Sequence, residues 1–163
     1  MGNNKILVTY ASQAGSTRSI AEAIGQVLTE SGAAVDVLPM KSVTDLEPYR
    51  AVVAGSAIHG GKWLPEAMQF MRSQQSSLAD KPFAAFLVCI TLGLAKAEQY
   101  RPGLAAWLAP VRALTRPVSE GYFAGALDFH RLPGVHQTLL DVRCFSNHWT
   151  LPSGEPFPGW AGC

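Results

Sequence analysis

Side chains that could bind a phosphate group are concentrated in one short segment near the start of the chain. Serine and threonine hydroxyls donate hydrogen bonds to phosphate oxygens, and glycine lets the backbone approach a ligand closely. The spacing of these residue types predicts a phosphate-binding loop. Its residues are Ser12, Gln13, Ala14, Gly15, Ser16 and Thr17.

The elements around this loop would add backbone donors to its hydroxyls. An apolar run at residues 5–11 predicts a strand before the loop. The first amides of a helix have no partner within it, and with the positive end of the helix dipole they attract anions. The alternative is that Ser16 or Thr17 simply caps the helix, since both are ordinary cap residues. The helix itself is predicted by apolar residues at helix-face spacing, at Ile20, Ala21, Ile24, Val27 and Leu28.

The loop lacks features that other nucleotide-binding loops need. A Walker loop requires a lysine that reaches the outer phosphates, and no lysine lies between Lys5 and Lys41. A dinucleotide fingerprint requires three glycines, whereas this turn has Gly15 alone. The loop therefore fits a single phosphate monoester, as in FMN, better than a pyrophosphate.

Composition limits the classes of protein to which the chain can belong. Its 163 residues fit one domain, and a net charge of +1 lacks the excess of positive charge that is typical of nucleic-acid-binding proteins. No apolar stretch approaches the ~20 residues of a membrane-spanning helix, and the N-terminus lacks the apolar segment of a signal peptide. The cysteines Cys89, Cys144 and Cys163 form no disulfide framework. We expect a cytoplasmic protein without a metal site.

Strand and helix patterns alternate along the chain with no repeat or linker between them. Alternation of this kind predicts an α/β fold, in which helices cover both faces of a parallel sheet through right-handed crossovers. The later strands are predicted at 34–38, 51–55, 82–90 and 118–124, a short helical turn at 43–46, and helices at 65–73 and 95–108, the last interrupted around Pro102 and Gly103.

Two further loops should meet the phosphate loop. Ligands of doubly wound sheets bind beyond the carboxyl ends of the strands, where the strand order reverses. The loops that follow the third and fourth strands should lie there. The first of these contains Ser56, Ala57, Ile58, His59, Gly60 and Gly61, and the second contains Cys89, Ile90, Thr91, Leu92 and Gly93.

These three loops resemble the cofactor loops of the flavodoxin-like family. The resemblance implies a five-stranded sheet of order 2-1-3-4-5, with FMN phosphate in the first loop and the isoalloxazine ring between the other two. All residues named in the three loops are then expected to bind the cofactor. Gly60 and Gly61 could let a peptide rotate toward the reduced ring, because glycine tolerates positive φ.

A segment later in the chain narrows the resemblance. With Gly125, Ala126, Leu127, Asp128 and Phe129 added, the chain resembles menaquinone-dependent protoporphyrinogen oxidases over about residues 5–134. The likeness implies an FMN-dependent oxidoreductase of haem biosynthesis, which passes electrons from protoporphyrinogen IX to a quinone at the cytoplasmic side of the membrane.

The C-terminal residues depart from that family. We divide the chain into a flavodoxin-like domain, residues 1–145, and a tail, residues 146–163. Three prolines and three glycines in the last twelve residues cannot sustain a final helix. The sheet face that such a helix covers would be left to the tail, to Trp149 and Trp160, or to a partner such as a second copy of the chain.

Four side chains near the predicted site have two interpretations each. His59 could donate a hydrogen bond to the flavin or shuttle a proton as a catalytic residue, or be an exposed histidine without a role. Trp63 could stack on the ring, although an anchor for the next helix is favoured. His130 and Arg131 could meet a porphyrin carboxylate, although a solvated turn is favoured.

Two other functions are compatible with the fold. A pure electron carrier would have no substrate of its own, but flavodoxin carriers are usually strongly acidic and this chain is near neutral. A degenerate module that binds no flavin is the second. A phospho-receiver domain is excluded, because 11–13 and 55–57 lack its aspartates.

Overall fold

The structure is a computed structural model that describes residues 4–93, 99 and 101–125. The strands are β1 (Lys5–Ala11), β2 (Ala34–Pro39), β3 (Tyr49–His59), β4 (Lys62–Trp63), β5 (Phe83–Cys89) and β6 (Ser119–Ala124). The helices are α1 (Ser16–Glu30), α2 (Pro65–Ser73), α3 (Gln75–Ala79), α4 (Arg101–Ala106) and α5 (Ala109–Leu114), with 3₁₀ turns at Met40–Ser42 and Ile90–Gly93.

Five parallel strands form the sheet in the order β2-β1-β3-β5-β6, and β4 pairs antiparallel with the end of β3. This is the predicted flavodoxin-like order, with the short β4 added. Strand β5 is buried at every residue except Ala84, as its nearly continuous apolar sequence predicts for a strand covered on both faces.

Helices pack on both faces of the sheet, and each face has its own apolar layer. On one face, α1 contributes Ala21 and Ile24 to a layer that includes Val8 and Phe86. On the other face, helices α2 to α5 cover a layer that includes Leu87. Adjacent strand residues alternate between the two layers because side chains of a strand point to opposite faces.

Glycine is required where α1 and Phe86 come closest to neighbouring strands. A Cβ at Gly25 of α1 would lie 2.5 Å from Val37 Cγ2, and one at Gly55 would lie 2.1 Å from Phe86 Cζ. The space at Gly55 lets the Phe86 ring lie in the sheet face, where it meets Phe123 edge-on at a centroid distance of 5.9 Å.

Three predicted boundaries were wrong, and two of them have a local cause. The helical turn lies at Met40–Ser42 rather than at 43–46. The interruption falls at residues 107–108, between α4 and α5, rather than at Pro102. Pro102 stands in the first turn of α4, where a helix needs no amide from it. Strand β3 is six residues longer than predicted, because its ends are more polar than its apolar centre.

Some predicted features lie outside the described residues. These are the segment after Gly125, the side chains His130, Arg131, Cys144, Trp149, Trp160 and Cys163, and the whole tail, residues 146–163. The division into a domain and a tail stays a prediction.

An ion pair and a phenol fasten edge strand β6 to helix α5. Arg112 donates to both oxygens of Glu120, each at 2.6 Å, and the Tyr122 hydroxyl donates to Glu120 Oε2 at 2.9 Å. Burial raises the pKa of Glu120, but the hydrogen bonds from Arg112 and Tyr122 outweigh it and hold that pKa below the ordinary value. Burial, and then the bond to Glu120, raise the pKa of Tyr122 to about 12.

Replacing Gly55 with alanine should destabilise the fold, because the new Cβ would overlap the Phe86 ring. We expect Gly55→Ala to lower the free energy of unfolding by about 1–3 kcal/mol in urea denaturation. Gly103→Ala is the matched control, since no described atom lies within 4 Å of its Cβ. Combining Gly55→Ala with Phe86→Leu should recover part of the loss; strictly additive losses would contradict the overlap.

Tyr122 should make the protein less stable in alkali. Its phenol has an ordinary pKa of 10.0, and about 12 in the fold, so between these values the folded state keeps a proton that the unfolded state has lost. Stability is therefore complete below pH 10 and falls by about 1 kcal/mol as pH rises through 12, a value reduced because water screens a half-buried phenol. Tyr122→Phe should remove this part of the slope in urea titrations over that range, and an unchanged slope would contradict the assignment.

Candidate functional site

The carboxyl ends of three neighbouring strands bring the predicted loops to one edge of the sheet. In the pairing of the strands, Ala11 lies beside Ser56, and Ala57 lies beside Val88. The chain therefore leaves β1, β3 and β5 at the same edge. The switch in strand order lies between β1 and β3, which is where such sheets bind ligands.

The first loop is a tight turn built around Gly15. This residue has φ 90°, is the N-cap of α1, and donates its amide to Ser12 Oγ at 3.0 Å. Within the described structure, no side chain caps this helix. The alternative in which Ser16 or Thr17 is a cap is therefore wrong, and the amides of the first turn point out of the helix toward the carboxyl edge.

Thr17 is fully buried, and its hydroxyl lacks a hydrogen-bond partner in the described part of the chain. An unpaired buried hydroxyl costs free energy, and such groups are rare in native proteins. Because Thr17 stands in the first turn of α1, an anion bound there would provide the missing acceptor. The donor set at this turn fits a phosphate monoester.

The second loop is largely strand, which corrects the prediction. Strand β3 continues through Ser56 to His59, and Gly60 and Gly61 form a two-residue turn into β4. Both glycines have positive φ, 58° and 74°, as a type I′ hairpin turn requires. Two adjacent glycines between short strand-like runs were the signal for this hairpin.

Ser56 is used by the fold itself. Its side chain is fully buried, donates to the Ala57 carbonyl at 2.8 Å and accepts the Leu64 amide at 3.0 Å. Leu64 is the N-cap of α2, so the Ser56 hydroxyl fixes the start of that helix. Ala57 and Ile58 are partly buried against the apolar layer that helices α2 to α5 cover.

Two tryptophans pack at the hairpin, one within it and one against its turn. Trp63 is 4% exposed and packs in the core before α2, as an anchor would. A Cβ at Gly61 would lie 3.1 Å from Trp107 Nε1, so the partly buried Trp107 indole lies against the turn. Trp107 was not predicted, because a contact between distant segments leaves no local pattern in the sequence.

The third loop is a short 3₁₀ turn with an exposed apolar residue. Cys89 is 5% exposed, and its carbonyl accepts the Gly125 amide at 3.0 Å. Ile90 is 40% exposed, whereas Thr91 and Leu92 are half-buried. With Gly93, they complete the turn that follows β5.

A hydrogen bond joins the first loop to the hairpin. His59 Nδ1 lies 3.2 Å from Gln13 Oε1, and both side chains are exposed. Arg18 pairs with Glu22 at 2.8 Å, and the bond to Glu22 raises the pKa of Arg18. Segments 11–18, 55–63 and 89–93 contain no aspartate or glutamate. This composition favours an anionic ligand.

The described part of the chain offers neither a cluster of metal ligands nor a membrane-spanning helix. No group of three or more His, Cys, Asp or Glu side chains among those residues could hold a metal ion. None of the described helices has the length and apolar character needed to cross a membrane.

Two flavodoxins of known structure are similar to this chain. Flavodoxin 2 from Bacillus cereus is 26% identical, with a TM-score of 0.55 over 75% of this chain and 85% of its own. A flavodoxin from the domain Archaea is 28% identical over 61% of this chain and 74% of its own, with a TM-score of 0.49.

Rubredoxin oxygen:oxidoreductase from Desulfovibrio gigas is 20% identical with a TM-score of 0.53, a likeness of fold alone. The match covers 78% of this chain but 32% of that protein, of which this chain spans about a third. No curated protein sequence matches the chain.

The sequence profile of the flavodoxin domain matches residues 7–143. FMN, the cofactor predicted from the first loop, is the cofactor of flavodoxins. Because the match takes in most of the sequence, the chain belongs to the flavodoxin domain family.

Proposed function

We propose that the chain binds FMN at the carboxyl edge of its sheet and acts as an FMN-dependent oxidoreductase. The observation that carries the proposal is the buried Thr17 hydroxyl, which has no hydrogen-bond partner in the described structure and stands in the first turn of α1. When bound, the flavin supplies the electron transfer, and the protein supplies orientation and electrostatics.

The first loop would bind the phosphate from several directions. Thr17 and Ser16 would donate their hydroxyls together with the amides of the first helical turn. Ser12 already accepts the Gly15 amide, which leaves its own hydroxyl hydrogen for a phosphate oxygen. The positive φ of Gly15 keeps the turn open on the side of the ligand.

The other two loops would bracket the ring. The hairpin presents His59 and the Gly60–Gly61 peptide on one side, and the turn after β5 presents Ile90 on the other. Ile90 and Val118 are the large apolar side chains that the described structure leaves exposed. A bound isoalloxazine ring would remove apolar surface of Ile90 from water, which favours binding.

The proposed reaction is oxidation of protoporphyrinogen IX with a quinone acceptor. This proposal rests on the resemblance of the three loops, and of the segment that begins at Gly125, to menaquinone-dependent protoporphyrinogen oxidases. In each cycle the porphyrinogen loses two electrons and two protons, and the quinone takes them up as a quinol. Because quinones dissolve in membranes, this reaction would take place at the cytoplasmic face of one, where the protein would dock as a peripheral protein, either alone or as a homodimer.

An electron carrier is the second candidate. The likeness to Bacillus cereus flavodoxin 2, which covers 85% of that chain, favours it. A net charge of +1 argues against it, since acidic carriers dock to basic partners by complementary charge.

The visible spectrum tests the cofactor. Full-length protein, purified and mixed with excess FMN, should show flavin absorption and quench FMN fluorescence upon binding. Heat denaturation should release the flavin unchanged. A folded protein that stays colourless and leaves FMN fluorescence unaltered would exclude both redox functions and leave the flavin-free module.

Thr17→Val should weaken FMN binding without destabilising the flavin-free protein. Removing an unpaired buried hydroxyl should leave the flavin-free protein as stable or stabilise it by about 1 kcal/mol. The same change deletes a donor to a charged group, worth about 1.5–3 kcal/mol, so the FMN dissociation constant should rise at least tenfold. Adding Ser16→Ala should weaken binding further.

Thr9→Val is the matched control for Thr17→Val. Thr9 is equally buried, and its hydroxyl also has no partner among the described residues, but it stands within β1. This variant should keep wild-type FMN affinity while its stability changes as in Thr17→Val. Equal affinity of Thr17→Val and wild type in fluorescence titrations would show that the phosphate site lies elsewhere.

Anaerobic turnover separates the enzyme from the carrier. The FMN-loaded protein should form protoporphyrin from protoporphyrinogen IX when menaquinone is added, with porphyrin fluorescence as the readout. The Thr17→Val, Ser16→Ala double variant should lose this activity at low FMN and regain it at high FMN. A flavin-loaded protein that forms no porphyrin but passes electrons between other redox proteins would be a carrier.

A further inference from the structure

The segment between α4 and α5 lies against the turn of the hairpin. Trp107 is the first of its two residues, and the indole is partly buried. A Cβ built at Gly61 would lie 3.1 Å from Trp107 Nε1 and 3.4 Å from Cε2, whereas one built at Gly60 would meet no described atom within 4 Å. The indole therefore faces Gly61 and leaves the side-chain position of Gly60 open.

Buried leucines on either side fix the backbone at Trp107. Leu104 and Leu108 both lie in the core, and the Trp107 amide donates to the Leu104 carbonyl at 3.0 Å. The indole itself packs against the apolar layer that helices α2 to α5 cover. A shift of Trp107 away from the hairpin would pull one of these leucines toward water, which apolar burial opposes.

Arg112 fastens the same segment to the edge of the sheet. Its Nη1 donates to the Ala105 carbonyl at 2.9 Å, at the end of α4, where carbonyls lack partners within the helix. The same guanidinium donates to both carboxylate oxygens of Glu120 in β6. Because α4, α5 and β6 share this side chain, the position of the indole is determined by elements outside the hairpin.

Two turn types suit a two-residue hairpin, and the peptide between their central residues points in opposite directions. Both have positive φ at the first central residue, but only type I′ has positive φ at the second. Two adjacent glycines can adopt either type, because glycine tolerates both signs of φ. Gly61 is the second central residue and has φ 74°, so the turn that packs against the indole is type I′.

We propose that Trp107 is a positioning residue that selects the type I′ turn at Gly60 and Gly61, and thereby sets the direction in which their shared peptide faces the flavin ring. The inference rests on the proposed FMN site. The measured affinity of a ligand falls with the fraction of molecules that have the competent conformation. Loss of the indole would divide the molecules between the two turn types and weaken FMN binding in proportion.

The first experiment needs no cofactor. In proton NMR of the flavin-free full-length chain, a type I′ turn gives a strong Overhauser effect between the amide protons of Gly60 and Gly61. A type II′ turn gives one between Gly60 Hα and the Gly61 amide proton. Wild type should show the first pattern, and Trp107→Leu should gain the second. A variant that keeps the wild-type pattern, or a wild type with the second pattern, would overturn the selection by Trp107.

The second experiment measures the FMN dissociation constant. Trp107→Leu should raise it about three- to tenfold, which corresponds to a competent fraction of about a third to a tenth. Leu114→Ala is the control for a general loss of packing, since Leu114 packs against the same apolar layer at the end of α5. It should lower the urea midpoint and keep the wild-type dissociation constant. An unchanged constant for Trp107→Leu, or an equal rise in both variants, would contradict the proposal.

The sequence of the turn provides a rescue. An Asn-Gly pair favours type I′, whereas glycine followed by another residue favours type II′. Gly60→Asn should therefore hold type I′ without the indole, and its Cβ position is open. In the Gly60→Asn background, Trp107→Leu should raise the dissociation constant less than it does alone, and Gly61→Ser should reproduce the loss seen in Trp107→Leu. Equal effects of Trp107→Leu with and without Gly60→Asn would show that the indole does not act through the turn.

A wild-type protein that binds no FMN would overturn both the proposed function and the effect on affinity. The Overhauser patterns would still decide whether Trp107 selects the turn type, because they are measured without flavin. The two failures are therefore distinguishable.

Discussion

The parallel pairing of β1 with β3, and of β3 with β5, determines where every candidate ligand contact lies. Side chains alternate along a strand, so a shift of one residue would turn Leu7 and Val8 to the wrong faces. The apolar layers on the two faces thus fix the register, and the register places Ala11 beside Ser56 at the carboxyl edge. The loops therefore meet as a consequence of the strand register that burial of the two apolar layers fixes.

Hydroxyl groups at that edge differ in how far the fold itself uses them. The Ser56 hydroxyl is fully used, since it donates to one backbone group and accepts another. Ser12 accepts the Gly15 amide and keeps its hydrogen. Thr17 is buried with no partner in the described structure. Sequence alone cannot separate these three roles, because each depends on burial and on which backbone amide lies within reach.

Patterns within single elements were predictable, and relations between distant residues were not. The apolar runs of β1 and β5 and the apolar face of α1 were predicted correctly, and the resemblance to flavodoxin-like proteins implied the strand order. The turn at Gly60 and Gly61 was taken as an open loop, because strands of two residues are too short for a periodic signal. Pro102 was taken as a helix break, although the first turn tolerates it. The contact between Trp107 and Gly61 has no counterpart in either local sequence.

The two glycines of the hairpin are needed for different reasons. Gly60 has positive φ, but no described atom lies within 4 Å of its Cβ position. A side chain there would strain the backbone alone. At Gly61 a side chain would also press on the Trp107 indole, 3.1 Å away. The hairpin is thus held by Gln13 through His59 on one side and by Trp107 on the other. The peptide between the two glycines, which would face the proposed flavin ring, lies between these two contacts.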